Sequence, residues 1–297
     1  MSVLSSPQGT PERVWSLVAG LAALGGECER QVFDALLNPS YTKDGVLVRA
    51  KDTLAANALG AASSLGLIEA GRDKATLARG LDLPDSSALA DYVHDRLSTL
   101  KSGETDSAIL DAYSWLAAES DRQDGLGWIF DLGRDQFADS ANAALVGQDE
   151  DGRLMNTTKV VAWRRWLAFM GLGISIPLSN APDFPAPTAR LARELERAAI
   201  SPGTLVPAEQ FVTLLAGRMP YLDRGRLFNQ TCQRIGHVPS SRRLSPLLSV
   251  ALRDLHDEGT LKLILSGDAS AHIQLAQDPA HGVDAFTAVN VFPTTVQ

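Results

Sequence analysis

Residues 43–78, KDGVLVRAKDTLAANALGAASSLGLIEAGRDKATLA, change their hydrophobic period twice, and few folds accommodate that order. Val46-Leu47-Val48 is a short β-prone piece. From Lys51 to Leu65 the apolar positions Leu54, Ala58, Leu59, Ala62 and Leu65 fall on one helical face, and Gly66 ends the run. Leu67–Ala70 and Ala75–Ala78 then read as strands about the polar turn Gly71-Arg72-Asp73-Lys74. A helix followed directly by a hairpin cannot bury its apolar face alone, so further helices must pack behind it.

Those helices are expected upstream. Thr10-Pro11-Glu12 is a helix start, and Val14, Leu17, Val18, Leu21 and Leu24 recur at helical spacing until Gly25-Gly26. A second helix is predicted from Glu27 to Leu37, stopped by Asn38-Pro39. Helix, helix, strand, helix, strand, turn, strand is the order of a winged helix-turn-helix, whose β-wing closes the core beside three helices. The small, polar residues 1–10 are expected to be loosely held.

Downstream the pattern stays helical: Ser86–Leu100, Ser107–Glu119, Gln136–Leu145, Thr158–Leu172, Thr188–Ala199, Pro207–Leu215 and Arg224–Ile235. Ser245-Pro246 opens a helix to Asp257. Thr260–Leu265 and Ser270–Leu275 then read as a second hairpin about Ser266–Ala269, with a last strand at Ala285–Val291. The fold class expected is mainly α with small β-hairpins, as tandem winged helix-turn-helix modules joined by a helical segment. The domains are expected at 1–80, an N-terminal winged helix; 81–151, an acidic helical segment; and 152–297, a helical domain with a second winged-helix-like unit at about 205–292. The polar run Gln148–Gly152 marks one boundary.

Charge divides the chain. Its net charge is −8, which argues against a protein that coats nucleic acid indiscriminately. Asp82 to Asp151 holds sixteen acids against four Lys or Arg, while Arg224 to Arg253 holds six Arg and no acid. Separate surfaces with separate partners are one reading; a solvated acidic helical face is the other. Cys28 and Cys232 are far apart and fit neither a zinc knuckle nor a disulfide framework. Val14–Leu24 is too short to span a bilayer and no secretion signal stands out, so a cytoplasmic location is expected.

Duplex DNA contact would require cationic or amide side chains on each helix before a wing, or on the wing itself. In the first module these are Arg49, Lys51, Asn57, Arg72 and Lys74; Asn57 has the side chain to pair with adenine. Arg224, Arg226, Arg234, Arg242, Arg243 and the Arg164-Arg165 pair suit phosphate. The same Arg are equally suited to pair with the acidic middle segment, within the chain or across a homodimer. The five His lack paired-ligand spacing, and no phosphate-binding loop, dinucleotide fingerprint or nucleophile elbow occurs. No metal, cofactor or enzymatic activity is therefore expected. The five Trp lie in apolar helical runs, where core packing competes with base stacking.

The order of elements from Pro11 to Ala78, with AKDTLAANALGAASSLGLIEAG at its centre, resembles the prokaryotic winged-helix superfamily. The chain's size, its acidic helical middle and its second wing-like stretch at Leu261–Leu275 are also similar to the DpdG family. DpdG proteins are encoded with bacterial systems that place 7-deazaguanine derivatives in DNA and restrict foreign DNA. That resemblance implies a non-catalytic accessory subunit of a DNA-modification or antiviral defence assembly, with double-stranded DNA and the system's other proteins as partners. Tandem winged-helix subunits of chromosome-organising complexes look similar. A protein-contact scaffold that binds no DNA is the alternative.

Overall fold

The computed structural model describes residues 2–37, 53–146, 154–174, 184–267 and 272–292. The first elements are α1 (Pro11–Ala23), β1 (Glu27–Glu29), α2 (Arg30–Leu37), α3 (Thr53–Ser64), β2 (Ile68–Ala70) and β3 (Lys74–Leu77). Four helices follow: α4 (Ser86–Thr99), α5 (Ala108–Arg122), α6 (Trp128–Asp131) and α7 (Arg134–Val146). Next come α8 (Thr157–Phe169), β4 (Gly173–Ile174), β5 (Phe184–Pro185), α9 (Thr188–Arg197), β6 (Leu205–Pro207) and α10 (Ala208–Arg218). The chain continues through α11 (Arg226–Arg234), α12 (Pro246–Asp257), β7 (Leu261–Ile264), β8 (Ile273–Gln274), β9 (Ala285–Phe286) and β10 (Ala288–Val291). The molecule is mainly helical with small antiparallel sheets, as the hydrophobic periods require. Among the described residues no helix is long and apolar enough to cross a membrane.

Two compact units divide the chain: residues 1–107 with 157–170, and residues 108–156 with 171–297. In the first, Val14, Leu17, Val18 and Leu21 of α1 are buried, as are Ala58, Leu59, Ala61 and Ala62 of α3. The small residues of α3 let α1 pack closely on it. The sheet runs β1-β3-β2, with Cys28 opposite Ala75 and Ile68 opposite Leu77. Glu27–Glu29 were expected to open a helix and instead form β1, because β3 offers its free edge to them. Val46–Val48 lie outside the described residues.

Residues 2–10 are not loosely held. Val3, Leu4, Ser6 and Thr10 are buried. The Val3 amide donates to Asp106 Oδ1 at 2.7 Å, and the Ser64 hydroxyl of α3 donates to Asp106 Oδ2. Trp166 of α8 donates its indole N–H to the Gly9 carbonyl at 3.3 Å. A Cβ on Gly9 would lie 2.6 Å from the Asn57 carbonyl oxygen and 2.8 Å from the Ala61 methyl. Only glycine lets the segment lie this close to α3.

The second unit is built around α5. Every residue from Ala108 to Asp121 is buried, and α7, α11 and α12 pack against it. Tyr113 meets Tyr221 edge to face at 5.4 Å, and Thr231 of α11 donates to the Ser114 hydroxyl at 3.2 Å. The sheet here runs β6-β10-β7, with Val289 opposite both Val206 and Leu263. The hairpin expected between Thr260–Leu265 and Ser270–Leu275 does not form: β7 pairs with β10, and β8 pairs with β9. Leu261 and Leu263 find their buried cross-strand partners in Val289 and Val291, while Ile273 finds Phe286.

The close approach at Gly9 gives a paired test. Gly9→Ala should cost about 1–3 kcal/mol in urea unfolding through overpacking. Gly20→Ala, on an open face within α1, should add about 0.5–1 kcal/mol through helix propensity. Equal effects at the two positions would contradict the packing described.

Candidate functional site

Of the residues expected at a DNA surface in the first unit, Arg49 and Lys51 lie outside the described residues. Asn57 is half-buried, and its Oδ1 accepts from the Gln8 amide at 3.4 Å. Ala56 is the one exposed side chain among those described on α3. The helix therefore offers no long polar side chain among its described residues. Arg72 is exposed at the turn, beside Lys74, which pairs with Glu27 at 3.1 Å. Arg165 of α8 pairs with Glu12 at 3.2 Å, and this contact helps hold the Glu12 carboxyl below the usual range. Arg164 is half-buried and not far along α8 from it.

In the second unit the tight loop Met219–Gly225 positions the basic stretch. The Gly225 amide donates to the Leu222 carbonyl at 2.8 Å. A Cβ on Gly225 would lie 2.7 Å from that same oxygen, so a larger residue could not follow Arg224 here. Arg224 makes a two-pronged pair with Glu209 of α10 and donates to the Ser241 carbonyl at 2.6 Å. That pair, with Arg242 further off, holds the Glu209 carboxyl low. Arg234 donates to the Ala144 carbonyl at 3.4 Å, and Arg226 is exposed on α11. Arg243 lies 2.9 Å from Asp124 and 3.8 Å from Asp121. The basic stretch thus meets the acidic middle of the chain directly, at the C-terminal end of α5.

Asp121 is also bound by His237 Nε2 at 2.7 Å. Nearby, buried Asp223 accepts from both the amide and the hydroxyl of Ser245 at 2.6 Å. Ser245 caps α12 in turn, accepting from the Leu248 amide. Burial pushes the Asp223 carboxyl up to about 6 against these hydrogen bonds, and Asp121 adds to the rise. The Cys232 thiol is pushed up to about 12 by burial and by the same two carboxylates, which makes it a poor nucleophile. Helix α12 itself is a core helix, with Pro246, Leu247, Leu248, Ser249, Ala251, Leu252, Arg253 and Leu255 all buried. Arg253 donates to the Ala276 and Val283 carbonyls and so fixes the following loop.

The model of the DpdG-like family matches residues 1–269. The chain belongs to the DpdG-like family. The family match spans α1 through β7 and ends before β8, β9 and β10. Searches of curated proteins and of solved structures found no match to the chain. The pairing of Arg243 with Asp121 and Asp124 is an instance of the pairing with the acidic middle that the sequence allows, while the buried Asp223–Ser245 pair beside it carries no sequence signal.

The folded pKa of Asp223 is raised, so the folded state keeps a proton that the unfolded chain releases near the ordinary carboxylate value. Stability should therefore fall as pH rises from about 4 to about 6, by on the order of 2–3 kcal/mol from this group. In Asp223→Asn that fall should be missing, so the gap between the wild-type and variant Tm–pH curves should change between about pH 4 and about pH 6. Parallel curves for wild type and variant would refute the assignment.

Proposed function

We propose that this chain is a non-catalytic accessory subunit of a bacterial DNA-modification and restriction assembly, built on two winged-helix modules that hold protein partners. Membership of the DpdG-like family supports the assembly. Topology supports the modules. In the first unit, helix, strand, helix, helix, strand, strand gives the sheet order β1-β3-β2. In the second, α9, β6, α10, α12, β7 and β10 follow the same order and give β6-β10-β7, with α11 inserted and β8 and β9 in the place of a wing tip. Both sheets thus put the last strand between the other two.

The observation that favours protein contact over base reading is the state of the third helix in each module. Helix α3 exposes Ala56, and most of α12 is buried, with only Asp257 at its end exposed. Among the described residues neither presents an exposed Arg, Asn or Gln of the kind that reads base edges in a major groove, Asn57 being half-buried and Arg253 buried. Arg224, Arg243, Arg165 and Lys74 each face a carboxylate of their own unit. The groups that resemble catalytic ones also have structural work: Ser245 caps α12 and is held by Asp223, and His281 bonds Asp257 at 3.1 Å. A second reading is favoured by exposed Arg72 beside Lys74, which would let the first wing touch duplex phosphates without sequence preference.

Two measurements separate these. Co-expressed with the other proteins of its system, the chain should co-elute with at least one of them on size exclusion. Alone, it should bind duplex DNA weakly, with a slope of log K against log salt of about −2 or shallower, and Arg224→Ala or Arg243→Ala should leave that slope unchanged. Elution by itself, together with tight, steeply salt-dependent binding abolished by Arg72→Ala/Lys74→Ala, would replace the scaffold reading with the DNA reading.

A further inference from the structure

A cleft of about 440 Å³ opens in the second unit, beside the C-terminal end of α5. Its lining includes Trp115, Glu119, Arg122, Gln123, Trp128 and Asp131. The aromatic wall is fixed in advance. Trp115 and Trp128 pack edge to face with ring centres 5.4 Å apart, and Trp115 meets Phe137 at the same distance. The Trp128 indole N–H donates to the Ser120 hydroxyl at 3.2 Å. Walls that are rigid before binding lose little entropy on it.

The charge of the lining selects the occupant. Two carboxylates, Glu119 and Asp131, face one guanidinium, Arg122. Arg122 already sits on Glu119 in two-pronged geometry, at 2.9 and 2.7 Å, and Gln123 donates to Glu119 at 2.6 Å. The cleft thus accepts one planar cation from its own chain and keeps a net negative charge. The surrounding segment Ala108–Val146 deepens that field, with seven acids against two Arg. An anionic ligand such as a nucleotide would meet two carboxylates. A second guanidinium would meet Asp131 and the indole rings.

We propose that this cleft docks an arginine side chain presented by a protein partner. The occupant is arginine rather than lysine because a guanidinium stacks on an indole and bonds a carboxylate with two prongs at once. The inference rests on the protein-contact reading above and gives it a chemistry: the partner carries an exposed arginine, and Trp128 and Asp131 receive it.

The full chain can be titrated with the peptide acetyl-Gly-Ser-Arg-Ser-Gly-amide while tryptophan fluorescence is followed. A saturable change is expected. Replacing the arginine by citrulline, its neutral isostere, should weaken binding about tenfold or more, as should Asp131→Asn in the protein. Asp131 is exposed, so the Tm of that variant should stay at the wild-type value, and Trp128→Leu should abolish the response. Equal binding of the citrulline peptide, indifference to Asp131→Asn, or tighter binding of guanosine monophosphate would each overturn the proposal. Self-association lost in Asp131→Asn would place a second copy in the cleft and overturn it as well. A failed titration with co-elution intact refutes the cleft alone. Peptide binding without co-elution refutes the scaffold reading.

Discussion

The second unit depends on the burial of acids on α5. That helix is covered on all sides, yet it carries Asp111, Glu119 and Asp121 among its buried residues. An ionised carboxylate in such a place is costly unless the fold supplies partners. Arg122 and Gln123 serve Glu119 from the same helix. Asp121 draws on His237 and Arg243, which lie more than a hundred residues further along the chain. The segment between α11 and α12 is therefore tied to the end of α5 at two points, and Asp223–Ser245 ties it to the cap of α12. Removing one partner would leave a buried charge unmatched, which is worse than removing both.

This pairing explains why the chain is divided into an acidic middle and a basic stretch. The acidic residues from Asp111 onward share a folded unit with the basic stretch, and the two meet through Arg243, Asp121 and Asp124. Arg224 follows the same rule with Glu209, and Arg253 with backbone carbonyls. A block of cations in a sequence is a nucleic-acid surface only if its own fold leaves it unneutralised. Here the fold employs much of it. In this unit Arg226 and Arg242 stay exposed, and the cleft beside Trp115 and Trp128 is acidic and aromatic.

The helices were legible in the sequence because each carries its own boundary chemistry and a 3.6-residue period. The helix expected from Thr188 is α9, and that expected from Ser245-Pro246 is α12, capped by Ser245 as its hydroxyl allows. Strand pairing was not legible. The partner of β7 lies beyond β8 and β9, and nothing local distinguishes Ile273 from Val289 as its neighbour. Strand β1 was read as helix because Glu27-Cys28-Glu29 has no strong propensity and takes its conformation from β3. Residues 2–10 looked polar and loose, while their burial comes from Gly9 lying on α3 and from Asp106, far along the chain. At the basic stretch, residue type identified the cations and the acidic middle as one possible partner, and the fold specifies which carboxylates they meet.

The central claim is that Arg243 belongs to α5. A double-mutant cycle of Asp121→Asn with Arg243→Gln, read by urea unfolding, measures this directly. Coupling of about 1–3 kcal/mol, with the double variant less damaged than the sum of the single ones, is the result this structure requires. Additivity to within about 0.5 kcal/mol would mean that Arg243 does not couple to Asp121, and would contradict it.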